Sequence, residues 1–122
     1  MKVQLQGQSL RLRIDEAELA RLRDGEEITN HTALPGQGGC TQRVALKDAA
    51  QAEFSGTSGD WRLLLPQAQV EDYVQRLPCK DGLHYVLPVP SGTALEVDFE
   101  VDVRDSARLR GKQRKTESSE SA

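Results

Sequence analysis

Residues 9–22 read SLRLRIDEAELARL. Leu10, Leu12 and Ile14 alternate with Ser9, Arg11 and Arg13, the period-two pattern of a strand with one face buried. At Asp15 the period becomes helical. Asp15 suits an N-cap, because its carboxylate can accept from the free amides of the first turn. Glu18 sits three residues on, completing the spacing of a capping box with Asp in place of Ser or Thr. Ile14 and Leu19 have the spacing of a hydrophobic staple. Asp15, Glu16 and Glu18 match the positive end of the helix, and Arg21 and Arg23 the negative end. Gly25 provides a left-handed stop. The apolar face is narrow, so a helix this short needs a sheet to lie on.

Upstream, Val3 and Leu5 alternate with Lys2, Gln4 and Gln6 in the opposite phase to Leu10–Ile14. A one-residue change of phase flips the side chains to the other face, so Gly7-Gln8 is read as a tight hairpin in preference to a glycine bulge. Downstream, strand signals occur at 26–34, 41–48, 50–56 and 60–66. The last places Trp61, Leu63 and Leu65 on one face. Val70, Tyr73, Val74 and Leu77 follow helical spacing between Pro66 and Pro78. LHYVL (83–87) is a short strand. ALEVDFEVDV (94–103) alternates apolar residues with Glu96, Asp98, Glu100 and Asp102 along its whole length. No internal repeat is visible. Because each strong strand has one apolar and one polar face, one side of the sheet should be wet. The expected fold is a single α+β domain: a curled, mainly antiparallel sheet packed on two short helices near 15–24 and 67–77. It should span residues 1–103, followed by a disordered charged tail over 104–122.

Charge supports that division. Residues 1–103 carry 10 Lys/Arg and 16 Asp/Glu, a net −6, while 104–122 carry 6 and 3, a net +3. An acidic body disfavours nucleic acid, which is held by cationic faces. No segment reaches the length of a membrane span. Two cysteines are too few for a disulfide framework, so the expected compartment is the reducing cytoplasm.

Two constellations carry possible chemistry. Arg11 and Arg13 share one face of their strand, and Glu96, Asp98 and Glu100 share one face of theirs. As neighbours they would form cross-strand ion pairs. They could also bind a ligand, with the arginines holding a phosphorylated group and the carboxylates a divalent ion. The stretch EVDFEVDVR (96–104) loosely resembles the E-x-E-x-K strand of triphosphate-tunnel enzymes, which implies metal-dependent phosphate processing. It departs from that family in its C-terminal placement and its few basic residues. The second constellation is His31, Cys40, Cys79 and His84, four residue types that satisfy tetrahedral zinc, though without knuckle spacing. Cys79, His84 and Asp81 can also be drawn as a thiolate–imidazole pair with an orienting carboxylate, but Cys79 follows a helix end, which does not activate it. The GQGG loop (36–39) lacks the Lys-Ser/Thr of a phosphate-binding loop. No cofactor is called for.

The opening MKVQLQGQSLRLRIDEAEL resembles the start of a family of small uncharacterised bacterial proteins, M-K-[IV]-x-L-x-G-x-S-[IL]-R-L-R-[LI]. Lys2, Leu5, Gly7, Ser9, Arg11 and Arg13 fit this pattern. The Leu95–Phe99 strand is similar to that family's terminal strand, but the lysine-aspartate-phenylalanine run that usually follows is absent. The resemblance implies a bacterial protein of unassigned function and supplies no site residues. The function expected is a non-enzymatic binding or accessory module for a protein or small anionic ligand. The alternative is the divalent-metal phosphate enzyme.

Overall fold

The computed structural model describes residues 1–36, 38–79 and 81–103. The expected boundary after residue 103 and the tail over 104–122 lie outside the described residues. The elements in order are β1 (Lys2–Gln6), β2 (Ser9–Asp15), α1 (Glu16–Arg23), β3 (Ile28–Ala33), β4 (Gly39–Lys47), β5 (Glu53–Thr57), β6 (Asp60–Pro66), α2 (Gln67–Gln75), β7 (Leu83–Pro88) and β8 (Ala94–Asp102).

The opening stretch folds as its pattern requires. Gln6 pairs with Ser9 across a two-residue turn. Gly7 takes a positive φ of 56° there, a region glycine enters without steric cost. Leu10, Leu12 and Ile14 are buried, and Ser9 and Arg11 are exposed. The Asp15 carboxylate accepts from the Glu18 amide at 2.7 Å, and the Glu18 carboxylate accepts from the Asp15 amide at 3.0 Å. Helix α1 is therefore capped reciprocally. Its exit turns at Gly25, φ 97°.

The expected single α+β domain holds, but its strands do not form one curled sheet. They divide into two mixed four-stranded sheets, in the order β1-β2-β8-β7 (sheet 1) and β3-β4-β6-β5 (sheet 2). In each sheet the two outer pairings are antiparallel and the central one is parallel: β2 with β8, and β4 with β6. A parallel pair cannot be closed by a tight turn. Here each central pair joins strands from opposite halves of the chain.

The two halves, each ββαββ, have the same plan. Strands β1 to β4 correspond in length to β5 to β8. Their registers correspond too: Lys2 with Arg13 answers Glu53 with Leu64, and Ile28 with Val44 answers Leu83 with Phe99. Exchanging the halves turns the strand order of sheet 1 into that of sheet 2 read backwards. An internal duplication is thus present in topology although none is visible in the sequence. Among the matched strand positions only two carry the same residue, Arg11/Arg62 and Leu12/Leu63.

One apolar core is shared by the inner faces of both sheets and by both helices, including Leu12, Ile14, Val44, Leu63, Val97 and Phe99. Helix α1 touches β2 and β8 of sheet 1 and β3 and β4 of sheet 2. Helix α2 lies on β6, and its buried Tyr73 reaches β8. The side of each sheet away from this core carries the polar residues, so the expected wet face exists twice. The dry side is closed by the other sheet as well as by helices. No described helix is long and apolar enough to cross a membrane.

Candidate functional site

The parallel pairing of β2 with β8 sets Arg11 opposite Asp98, Arg13 opposite Glu100 and Ser9 opposite Glu96. The hairpin adds Gln4 beside Arg11 and Lys2 beside Arg13, and β7 adds His84 beside Asp98. The outer face of sheet 1 therefore reads in rows across four strands. One row is Gln4, Arg11, Asp98, His84, and the next is Lys2, Arg13, Glu100. All five ligand-binding candidates named from the sequence are brought together here.

Their ion pairs are uneven. Arg13 Nη2 lies 3.1 Å from Glu100 Oε1, and Arg11 Nε lies 3.7 Å from Glu100 Oε2. Two guanidiniums thus share one carboxylate. His84 Nδ1 is 2.8 Å from Asp98 Oδ1, and its Nε2 is 3.6 Å from Glu96 Oε1. The acidic strand therefore leans on the imidazole on one side and on the arginines on the other. Lys2 forms no ion pair among the described residues. Two shallow depressions flank Arg11. One, of about 210 Å³, is lined by Lys2, Gln4, Arg11 and Arg13. The other, of about 220 Å³, is lined by Gln4, Gln6, Ser9, Arg11 and Asp98. Lys2 and Gln4 were not singled out in the sequence. The signal was there: the Gly7-Gln8 hairpin fixes their partners, and their period-two phase puts them outside.

This geometry does not support a tunnel-type enzyme. Such a site needs these side chains enclosed, whereas Arg11 is 53% exposed and Glu96 59%. The enclosed space is filled by the apolar core.

The zinc candidates are dispersed. His31 projects from the outer face of sheet 2, its Nδ1 2.7 Å from Thr41 Oγ1. Cys40, one step along the ladder opposite Thr32, shares the inner face with Gln42, whose amide donates to its sulfur. His31 and Cys40 therefore point to opposite sides of one sheet. His84 belongs to the other sheet. Cys79, in the connection after α2, donates to the carbonyl of Asp81 at 3.2 Å. With His84 engaged by Asp98 and Glu96, the Cys79–His84 pair is not formed either. Among the described residues no group of three or more His, Cys, Asp or Glu is placed to hold a metal ion.

On sheet 2 the outer face holds a denser network, which was not anticipated. The Arg43 guanidinium is bidentate to Asp60, at 2.8 and 3.1 Å, and reaches Glu27 at 3.3 Å. Glu27 also accepts from Arg62 Nε. Hydrogen bonding to Arg43 holds the Asp60 carboxyl below its usual range, and the Asp60 and Glu27 bonds raise the Arg43 guanidinium.

Comparison with curated proteins and with solved structures finds no match. A family model does match, over residues 1–111, so it takes in both ββαββ units and the sheet 1 face just described. The chain belongs to a family of unknown function (DUF7009).

Proposed function

We propose that the chain is a non-enzymatic binding or accessory module. In this reading it takes an oxyanion group of a small molecule or partner protein in the depression lined by Lys2, Gln4, Arg11 and Arg13. The observation that carries it is the sharing of one carboxylate, Glu100, by two arginines, beside a lysine that forms no ion pair among the described residues. With Asp98 opposite Arg11 counted as well, these side chains leave a local excess of one positive charge on a body whose net charge is negative. Arg11 is half-exposed and lies 3.7 Å from Glu100, and ion pairs this open are worth about 0–1 kcal/mol, so an incoming oxyanion draws Arg11 away from Glu100 at little cost. The guanidinium fork then offers it paired donors, and the Gln4 side-chain amide adds a neutral one. A bacterial, cytoplasmic setting belongs to the same proposal. It is supported by the resemblance of the first fifteen residues and by the two free thiols, Cys40 and Cys79.

The test is a titration of the ¹⁵N-labelled chain with inorganic phosphate at constant ionic strength. Amides of Gln4, Arg11 and Arg13 should shift and saturate with a Kd near the millimolar range, about −4 kcal/mol. Arg11→Gln should weaken binding roughly tenfold, or about 1.4 kcal/mol. Identical shifts with chloride in place of phosphate, or no shifts, would overturn the proposal.

A further inference from the structure

We propose that the outer face of sheet 2 carries a second oxyanion site, centred on Arg62 and Arg43, so that the chain is a two-faced module with one site on each sheet. The inference rests on the reading of sheet 1 given above and extends it through the internal duplication.

Exchange of the two ββαββ units carries Gln4, Ser9, Arg11 and Asp98 onto Ser55, Asp60, Arg62 and Arg43. All four of the latter line a depression of about 450 Å³ on sheet 2, with Gly56 and Trp61 completing it. The depression flanking Arg11 thus recurs at the equivalent place around Arg62. The residue at its centre is one of only two that the halves share at matched strand positions. The other, Leu12/Leu63, is fully buried, and its identity follows from core packing. Packing does not explain an arginine that is 53% exposed in one half and 46% in the other.

One difference between the two faces also favours an anion on sheet 2, although Asp60 in place of Ser9 offsets its charge. Where sheet 1 has Asp98 beside its central arginine, sheet 2 has Arg43. Two guanidiniums are then neighbours in register. Arg43 is fixed by its bidentate bonds to Asp60. Arg62 is held only through Nε, by Glu27, and neither of its terminal nitrogens is bonded among the described residues. Those nitrogens form the open end of the fork that recognises planar or tetrahedral oxyanions. Asp60 and Glu27 balance the pair and position it, which limits the site to small anions or single charged groups rather than polyanions.

The experiment follows the phosphate titration at constant ionic strength in three chains: wild type, Arg11→Gln and Arg62→Gln. Both arginines project from the sheet surface, and the apolar side of each strand is left intact. A further variant, Arg62→Lys, keeps the charge but not the fork. In the wild type, two separate sets of amides should shift, one around Gln4 and Arg11 and one around Ser55 and Arg62. Arg62→Gln should remove the second set and leave the first unchanged, and Arg11→Gln should do the reverse. Arg62→Lys should weaken the second site severalfold while keeping it detectable. Shifts confined to the first set would overturn the second site and leave the reading of sheet 1 standing. Shifts confined to the second set would overturn that reading and the two-faced module together. A second set that persists in Arg62→Gln would show non-specific ion binding and overturn the inference.

Discussion

Tyr73 shows at the scale of one residue how this core closes. Strand β7 runs out opposite Phe99, and Val101, two residues further along β8, needs another acceptor for its amide. It donates to the Tyr73 hydroxyl at 3.0 Å, in a buried bond. The Tyr73 ring meets Phe99 edge-on, with centroids 6.5 Å apart. Tyr73→Phe should keep the packing and strand the amide, at a cost of about 1–3 kcal/mol by chemical denaturation. Burial raises the Tyr73 phenol above its usual range. The folded phenol therefore stays neutral at a pH where the unfolded one ionises, and stability should fall as pH rises above about 10. Tyr73→Phe lacks that dependence, so the gap between wild type and variant should narrow in alkali. Tyr85, raised by burial in the same way, is common to both chains and cancels. None of this was legible in the sequence. Tyr73 was recognisable as a core position by its helical spacing, but its hydroxyl's partner lies on a strand that only tertiary structure brings near.

At the scale of the element, local signals were reliable. Helix α1 was readable because cap, staple and stop all lie within a dozen residues. Its eight residues are too few to hold without tertiary contacts, so loss of the cap should be felt. Asp15→Ala removes one side of the reciprocal box and should cost about 1 kcal/mol, measured as a shift in denaturation midpoint at unchanged slope. The same variant should leave phosphate binding on sheet 1 unaltered, because Asp15 lies outside both depressions. The β1–β2 hairpin was readable because a two-residue turn fixes its register. The partner of β2 on its other side was not. Arg11 and Asp98 are far apart in the chain, and alternation says which side chains share a face without saying which strand is adjacent or in which direction it runs. The contact of arginine strand with acidic strand, which the sequence left conditional, is present in a parallel pair.

At the scale of the whole molecule, the chain is two ββαββ units that exchange hairpins. Each unit alone leaves the open sides of β2 and β4, or of β6 and β8, without partners. Fragments 1–50 and 51–122 should each lack a cooperative unfolding transition, and mixing them should restore one. A cooperatively folding monomer of fragment 1–50 would show that the units are independent. The duplication escaped the sequence because a sheet needs only apolar character on one face and polar character on the other. Sequence can drift to near-complete difference while the topology stays. The candidate site was half legible for the same reason: its residues were nameable by face, and the readable hairpin sets Lys2 and Gln4 beside the arginines, while the whole network on sheet 2 needed the pairing to be known. Both proposed sites, the shared core and the duplication depend on the parallel pairings of β2 with β8 and β4 with β6. Interstrand nuclear Overhauser contacts in solution test them directly. The account predicts amide-to-α-proton contacts in the register Arg11 with Asp98 and Arg43 with Arg62, and strong α-to-α contacts only within the β1–β2, β3–β4, β5–β6 and β7–β8 hairpins. Strong α-to-α contacts between β2 and β8 would contradict it.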